Sequence, residues 1–457
     1  MPAWLRTDAM DRALAAPVRA RRNVRDVVVL GAWVALVVSS HLALQRLIDA
    51  GRQIRIPFPP LDASLDWRPN WRLVFPIVLG AVAVMFTPRL ARQWRWRNVL
   101  LGATVLSATW AVALAFVDGT HGLVGSVNLP TEYLGDVAKV TSPGAFLHGF
   151  VAHIAHYRVH VQGHPPGYLL VLWSLSRVGL ANTAAVATLE IGVGALAIPA
   201  VLLAVREVAG ESFARSAVPF VAVAPVAIWV ATSADAFYAG VSVWAVALVV
   251  LATGRRDRRG DLLAAGGGVL FGITAFLSYG LVLLAIIPLA VAAQRRRWRP
   301  LALAVCGAAP VFLAFGAAGF WWTDGLLATR TRYYAGVASR RPYFEFLFAN
   351  LASFAITLGP ALAIALTRLR HRRAWVLIGG ALAVVALADL TGMSKGEVER
   401  IWLPFALWVL PAAAVFALDE TREVNDVGTS TWPMESWWLA SQVAFAIGLQ
   451  TAVRSPW

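Results

Sequence analysis

Residues 237–253 read FYAGVSVWAVALVVLAT, and residues 254–260 read GRRDRRG. The first run carries no charge and approaches the roughly 20 residues that cross the hydrocarbon core of a bilayer. The second sets Arg255, Arg256, Arg258 and Arg259 at one end of it. The same pairing recurs along the chain. Clusters stand at Arg19, Arg21, Arg22 and Arg25, at Arg89, Arg92, Arg95 and Arg97, at Arg295, Arg296, Arg297 and Arg299, and at Arg368, Arg370, Arg372 and Arg373. Arginine clusters between apolar segments mark the cytoplasmic side of a membrane protein. Barrel strands would alternate polar and apolar residues, so unbroken runs specify helices, which satisfy their own backbone inside lipid.

Composition agrees. Of 457 residues, 59% are hydrophobic and 14% charged, and the mean hydropathy is +0.65. A soluble domain of this length has no way to hide so much apolar surface. The formal net charge of +15 is divided among the separate clusters and not gathered into one stripe, which argues against nucleic acid as a partner. The single cysteine, Cys306, lies in an apolar segment, so neither an intramolecular disulfide nor a thiol metal site is expected. The first apolar segment is too long for a cleavable signal, and a polytopic body follows it.

The basic residues 1–25 are expected as a cytoplasmic tail, and 26–457 as one transmembrane domain. Apolar segments fall near 26–47, 73–88, 98–117, 166–181, 184–205, 216–234, 237–253, 261–279, 281–294, 299–322, 346–367, 374–390, 401–417 and 437–452. The arginine clusters share one side only if 166–181 is short or re-entrant, which leaves about 13 crossings. The fold class expected is an all-α polytopic transmembrane helical bundle with its N-terminus cytoplasmic. Outside lie 48–72, 323–345, 391–400 and a long loop at 118–165. No convincing internal repeat is present, which counts against inverted-repeat transporters.

Ionisable residues away from the arginine clusters are where chemistry is expected. The long loop holds DGTH at 118–121, PTEYLGD at 130–136 and HPPG at 164–167. Six of the eight histidines lie there: His121, His148, His153, His156, His160 and His164. Glu132, Asp136 and Asp118 each qualify as a catalytic base, because a carboxylate near a low-dielectric surface can take a proton from a hydroxyl. Phe146, Leu147, Phe150, Val151, Ile154 and Tyr157 recur at helical spacing, which predicts an amphipathic helix lying on the membrane surface. His153, His156 and His160 follow an i, i+3, i+7 pattern that can turn imidazoles toward one metal ion, although no acid partner is fixed. A divalent metal therefore stays open as a cofactor. Pro165 and Pro166 end the loop and start the next helix with no wasted donor. The N-terminus of that helix, beside His164, suits an anion such as phosphate.

Four further outer sites are expected. Residues 232–238, TSADAFY, bring Asp235 and Tyr238 to a turn, and 278–280, SYG, make another. Residues 323–345 hold Asp324, Arg330, Arg332, Tyr333, Tyr334, Arg340, Arg341 and Tyr343. Guanidinium forks suit phosphate, and aromatic rings suit sugar faces or an isoprenoid chain. Asp389 is followed by KGEVERIWLPF at 395–405, where Arg400 can pair with Glu397 at helical spacing or meet a lipid-linked phosphate.

In order and spacing these motifs resemble the GT-C superfamily of membrane glycosyltransferases. That family carries an acidic motif with a nearby tyrosine in its first large outer loop, then interfacial helices, then a Pro-Pro motif often preceded by His or Lys. Glu132-Tyr133, the helical stretch around 144–157 and His164-Pro165-Pro166 fall in that sequence. Two features depart from the pattern. The family's adjacent acids are replaced by Thr131-Glu132 with Asp136 four residues on, which leaves the base open among Glu132, Asp136 and Asp118. Two membrane segments also precede the usual first helix.

The resemblance implies transfer of a sugar from a polyprenyl-phosphate donor to a cell-envelope glycan or glycolipid acceptor, at the extracytoplasmic face of a bacterial plasma membrane. Tyr133, His164, Asp235, Tyr238, Arg332, Tyr333, Glu397, Glu399 and Arg400 are the residues expected to bind donor or acceptor. The rival reading is a transporter or flippase of a lipid-linked envelope precursor, which acids at mid-membrane depth would favour.

Overall fold

The computed structural model describes residues 3–231, 233–418 and 433–456, with side chains from residue 24 onward. Thr232 and the guanidinium groups of Arg19, Arg21 and Arg22 lie outside the described residues. Those described form an all-α membrane helical bundle. Its one small ladder pairs Ser64–Leu65 with Val453–Arg454, antiparallel, Ser64 opposite Arg454.

Among the described residues, seven helices are long and apolar enough to cross a membrane. They are Val24–Asp49, Trp71–Gln93, the run Trp96–Lys139, Thr183–Ala209, Ala234–Thr253, Arg299–Ala317 and Arg372–Leu390. Tyr343–Leu358 and Pro360–Arg368 meet at 92° and make an eighth if taken as one span. The break falls at Gly359, whose φ of +82° only glycine adopts freely, and Pro360 then restarts the helix with no N–H to lose. Beside the expected count of about 13 crossings, Gly167–Ser176, Tyr279–Arg295 and Leu403–Leu418 are shorter apolar helices, while Arg258–Ala275 and Met434–Ala452 are continuous helices of 18 and 19 residues.

Lipid exposure accounts for the composition. In Arg299–Ala317, Val305 is 70% and Leu313 69% exposed, as suits a hydrocarbon-facing side. The opposite side packs on Arg258–Ala275 through small residues. A Cβ at Gly268 would meet the Ala304 carbonyl oxygen at 2.0 Å, and one at Gly307 the Ala265 oxygen at 2.2 Å. Such close backbone approach is how helices gain packing energy in lipid, where no hydrophobic drive operates between them.

The two ends of the bundle differ in kind. One end is laced by Arg206 and Arg215 with Glu211, Arg295 with Glu207, Arg299 with Asp261, Arg92 with Glu435, and Arg368 with Asp26. Arg215 also reaches the Ala91 and Trp94 carbonyls, and Arg297 the Arg255 carbonyl. The arginine clusters therefore share one face. The other end carries the loops, tied by Arg341 to Ile54, Thr329 to Gln162, and Arg68 to Gln450.

The segment near 166–181 is short and turns back. Gly167–Ser176 has 10 residues, about 15 Å of helix, half the hydrocarbon thickness. It starts at the loop face, where the Gly167 N–H donates to the Phe276 carbonyl at 2.9 Å. It returns there too, since the Thr183 hydroxyl donates to Asn128 at 2.9 Å.

The long loop corrects one expectation. In place of a single amphipathic helix on the membrane surface, it contains a short helix Pro143–Gly149, a turn Ile154–His156 and a second short helix Val159–Gly163. The apolar side chains fold inward. Phe150 is fully buried, stacked on Tyr157 at 5.4 Å and edge-on to Phe320 at 5.5 Å. Burying one such ring contributes roughly 2 kcal/mol, which the surface-lying helix would forgo on its solvent side. The turn is closed by His153 Nδ1 donating to the Gly149 carbonyl at 2.8 Å.

Candidate functional site

Glu132 sits just before the 3-10 segment Tyr133–Lys139, and Val159–Gly163 lies against it because the His160 N–H donates to the Thr131 carbonyl at 3.1 Å. That single bond sets the side chains of both residues in register. His160 Nδ1 is 2.7 Å from Glu132 Oε1, and both residues are buried. His160 Nε2 is 3.2 Å from Arg400 Nη2. A guanidinium only donates, so Nε2 accepts and the ring hydrogen sits on Nδ1, the nitrogen that neighbours Glu132. Arg400 also reaches Asp235 Oδ2 at 2.6 Å and Glu397 Oε2 at 2.7 Å. The Ser233 hydroxyl donates to Asp235 at 3.2 Å.

Arg400 is aimed by an unusual backbone. Glu397 is left-handed at φ +63° and Gly396 precedes it at φ +88°. A Cβ on Gly396 would come within 2.7 Å of Ile56 and 3.0 Å of Arg341. The turn is fixed from outside. The Gly396 N–H donates to Asn350 Oδ1 at 2.9 Å, and Asn350 in turn donates to Asp389 at 2.8 Å. Buried Arg341 donates to the Ile54 and Lys395 carbonyls and lies 3.8 Å from Glu397. Arg341 and Arg400 together hold the Glu397 carboxyl below its ordinary range against the cost of its burial.

An aromatic layer backs the network. Tyr238 donates to Tyr133 at 2.8 Å, and Tyr168 donates to Glu190 at 2.6 Å. Tyr133 and Tyr168 meet edge-on at 5.0 Å. Glu132, Tyr133, Tyr168, Glu190 and Ser233 line one cavity of about 210 Å³. His164 packs between Tyr133 at 6.1 Å and Tyr238 at 5.6 Å. Its Nδ1 donates to the His160 carbonyl at 2.9 Å, leaving Nε2 as an acceptor. Burial pushes the His164 imidazole down in pKa, further than Asp235 raises it, so the ring is neutral.

The three loop acids therefore have three different settings. Glu132 joins the network. Asp136 is a clamp, with Lys139 Nζ at 2.8 Å and the Arg158 N–H at 2.5 Å. Asp118 lies at another part of the loop face, held by Arg68 at 2.9 Å and Gln450 at 3.1 Å. Glu399 points away from Arg400, accepting from Ser353 at 2.9 Å and from the Asp62 N–H at 3.0 Å. Tyr333 accepts from the Lys395 N–H at 2.7 Å and so shapes the 395–400 turn. Arg332 is half-buried with no carboxylate partner among the described residues, and burial lowers its pKa.

One expectation is corrected. The three spaced histidines do not converge: His153 is exposed and capped on Gly149, while His160 is buried against Glu132. No group of three potential metal ligands gathers among the described residues. At the helix start after His164, the Gly167 N–H is taken by the Phe276 carbonyl. A Cβ at Gly167 would meet that carbonyl oxygen at 2.3 Å, so glycine permits the contact. Sequence reasoning also missed two participants. His160 was legible only as one of several histidines. Glu190 carried a clearer signal, as the lone acid in the apolar run 184–205.

No protein-family model matches the chain, and no curated protein matches it by sequence. Solved structures do share a likeness. The chain is similar to ArnT from Cupriavidus metallidurans bound to undecaprenyl phosphate, at 15% identity over 77% of each chain with a TM-score of 0.41. It is similar to the Archaeoglobus fulgidus oligosaccharyltransferase in complex with Zn and sulfate, at 14% identity over 75% of this chain and 53% of that one, TM-score 0.41. The same oligosaccharyltransferase tethered to an acceptor peptide containing the NVT sequon matches at 15% identity over 79% and 56%, TM-score 0.42. At this identity and overlap the likeness assigns no residue here a role.

Proposed function

We propose that this chain is a membrane glycosyltransferase that moves a sugar from a polyprenyl-phosphate donor to a hydroxyl-bearing cell-envelope acceptor at the loop face. The observation that carries the reading is the buried chain Asp235/Glu397–Arg400–His160–Glu132, assembled from four separate segments beside apolar membrane helices. The arginine-laced face is then cytoplasmic and the loop face extracytoplasmic.

In this mechanism Glu132 accepts the acceptor's hydroxyl proton. The hydroxyl oxygen bonds to the anomeric carbon as the carbon–oxygen bond to phosphate breaks, and polyprenyl phosphate leaves with the bonding pair. His160 orients Glu132, and Arg400 fixes the ring by donating to its other nitrogen. Arg400 is committed to Asp235 and Glu397, which makes it a positioning residue. The half-buried Arg332 has no such commitment and suits the phosphate, where a fixed guanidinium stabilises developing charge. Asp136 holds the loop, and His164 and Tyr238 line the approach.

The test uses the purified chain in nanodiscs with undecaprenyl-phosphate-linked [14C]sugars. Glu132→Gln should lower release or transfer of labelled sugar by about 10²–10⁴-fold, the range for a positioned base. Wild-type protein that moves the labelled lipid between leaflets but never cleaves it would instead establish the transporter reading, for which buried Glu190 is the one supporting observation.

A further inference from the structure

A second polar site lies on the same face, outside the Glu132 network. Asp62, Asp118 and Glu399 line an open cleft of about 710 Å³, with His121 and Ser126 beside them and Trp229 in the wall. Its parts come from elements distant in sequence, including the 50–70 loop and the strand Val453–Arg454 that pairs with Ser64–Leu65.

The site is built and incompletely satisfied. The Asp62 N–H donates to Glu399 at 3.0 Å, which sets two carboxyl-bearing residues side by side. Asp118 is held at the other side by Arg68 and Gln450. Ser126 is 6% exposed, and its hydroxyl has no hydrogen-bond partner among the described residues. An unpaired buried hydroxyl is costly, so a ligand that bonds it gains affinity.

The donor set selects the ligand class. Carboxylates accept pairs of hydroxyl hydrogens, and the imidazole and serine hydroxyl add a donor and an acceptor. Three acids against one lining guanidinium, Arg454, disfavour phosphate. A metal ion is disfavoured because no three ligands converge among the described residues. Burial, with Glu397 and Glu399 close by, raises the Asp62 carboxyl to about 7, so it can both donate and accept near neutrality.

We infer that this cleft binds a glycan and serves as the acceptor subsite. Its role as acceptor subsite rests on the glycosyltransferase reading; its glycan chemistry does not. The geometry connects the two sites through one turn. Glu399 faces the cleft while the adjacent Arg400 holds the Glu132 network, and Trp229 in the cleft wall lies four residues before Ser233.

The test measures binding by saturation-transfer NMR on the full chain in nanodiscs. The probes are methyl disaccharides of gluco, galacto and manno configuration, and their octyl counterparts inserted in the same bilayer. At least one probe should bind saturably, and Asp62→Asn or His121→Ala should weaken it by about ten-fold each, as expected for a lost hydrogen bond to a charged group. Neither substituted side chain packs in the core, and unfolding curves confirm that the variants are folded. Binding of methyl and octyl forms alike assigns a soluble glycan; binding of octyl forms alone assigns a glycolipid headgroup. The inference is overturned if no probe binds, or if binding survives both substitutions. The glycosyltransferase reading fails separately, by absence of Glu132-dependent cleavage of the labelled donor.

Discussion

His160 and Glu132 form a buried pair in which Nδ1 stands 2.7 Å from the carboxylate oxygen, and the ring's other nitrogen faces Arg400 at 3.2 Å. Three residues thus transmit orientation in one direction, from a fixed guanidinium through an imidazole to a carboxylate. The carboxylate is what meets substrate in the proposed reaction.

This relationship separates orientation from binding. His160→Ala should reduce kcat by about 10²-fold while the donor KM changes little, because the base remains but is no longer aimed. His160→Gln, which can still donate to Glu132, should recover part of the loss. Steady-state kinetics on the three proteins decide it. Equal loss of kcat in both variants, or a change confined to KM, would remove the positioning role.

Arg400 should be the most costly residue of the network to delete. It is 3% exposed and satisfies Asp235 and Glu397 together. Arg400→Ala leaves the Asp235 carboxylate buried without its cation and Glu397 with Arg341 alone, and about 3–5 kcal/mol of stability should go. The Asp235→Ala, Arg400→Ala double variant should lose clearly less than the sum of the two single losses. Reversible unfolding in mixed micelles supplies the cycle, and strict additivity would count against the pair.

Gly167 should tolerate no side chain. A Cβ there meets the Phe276 backbone oxygen at 2.3 Å, whereas nothing lies within 4 Å of one at Gly163. Gly167→Ala should destabilise by about 1–3 kcal/mol, the usual cost of overpacking, and lower activity by shifting His164. Gly163→Ala should do neither. Thermal melts of the two variants test the contrast.

Asp62 should make stability depend on pH with a defined sign. Its carboxyl is raised from 3.8 to about 7, first by burial, then by Glu397 and Glu399, against Arg341 and Arg400. Between those values the folded chain keeps a proton that the unfolded chain has released. Stability from this group therefore falls as pH rises through the window, and Asp62→Asn should flatten that fall. Unfolding midpoints at pH 4.5, 5.5, 6.5 and 7.5 read it directly; an unchanged slope in the variant would assign the dependence elsewhere.

The apolar runs and the arginine clusters beside them determined the bundle without reference to any contact. Lipid leaves a chain one way to satisfy its backbone here, and cationic loops favour one side, so both readings are local. The DGTH, PTEYLGD and HPPG motifs were equally legible as residues, and so was the turn at 395–405. What sequence left open was which loop acid joins Arg400 and a histidine in one buried network, and whether the spaced histidines gather as a group. The tertiary structure decided that, because Arg400 lies 165 residues from Asp235 and 240 from His160, and only packing brings them together. Helical spacing also failed for 144–157, where burial of Phe150 against Phe320 outweighed the amphipathic period. Long-range contacts and desolvation choose among chemically equivalent side chains, and neither is written in local sequence.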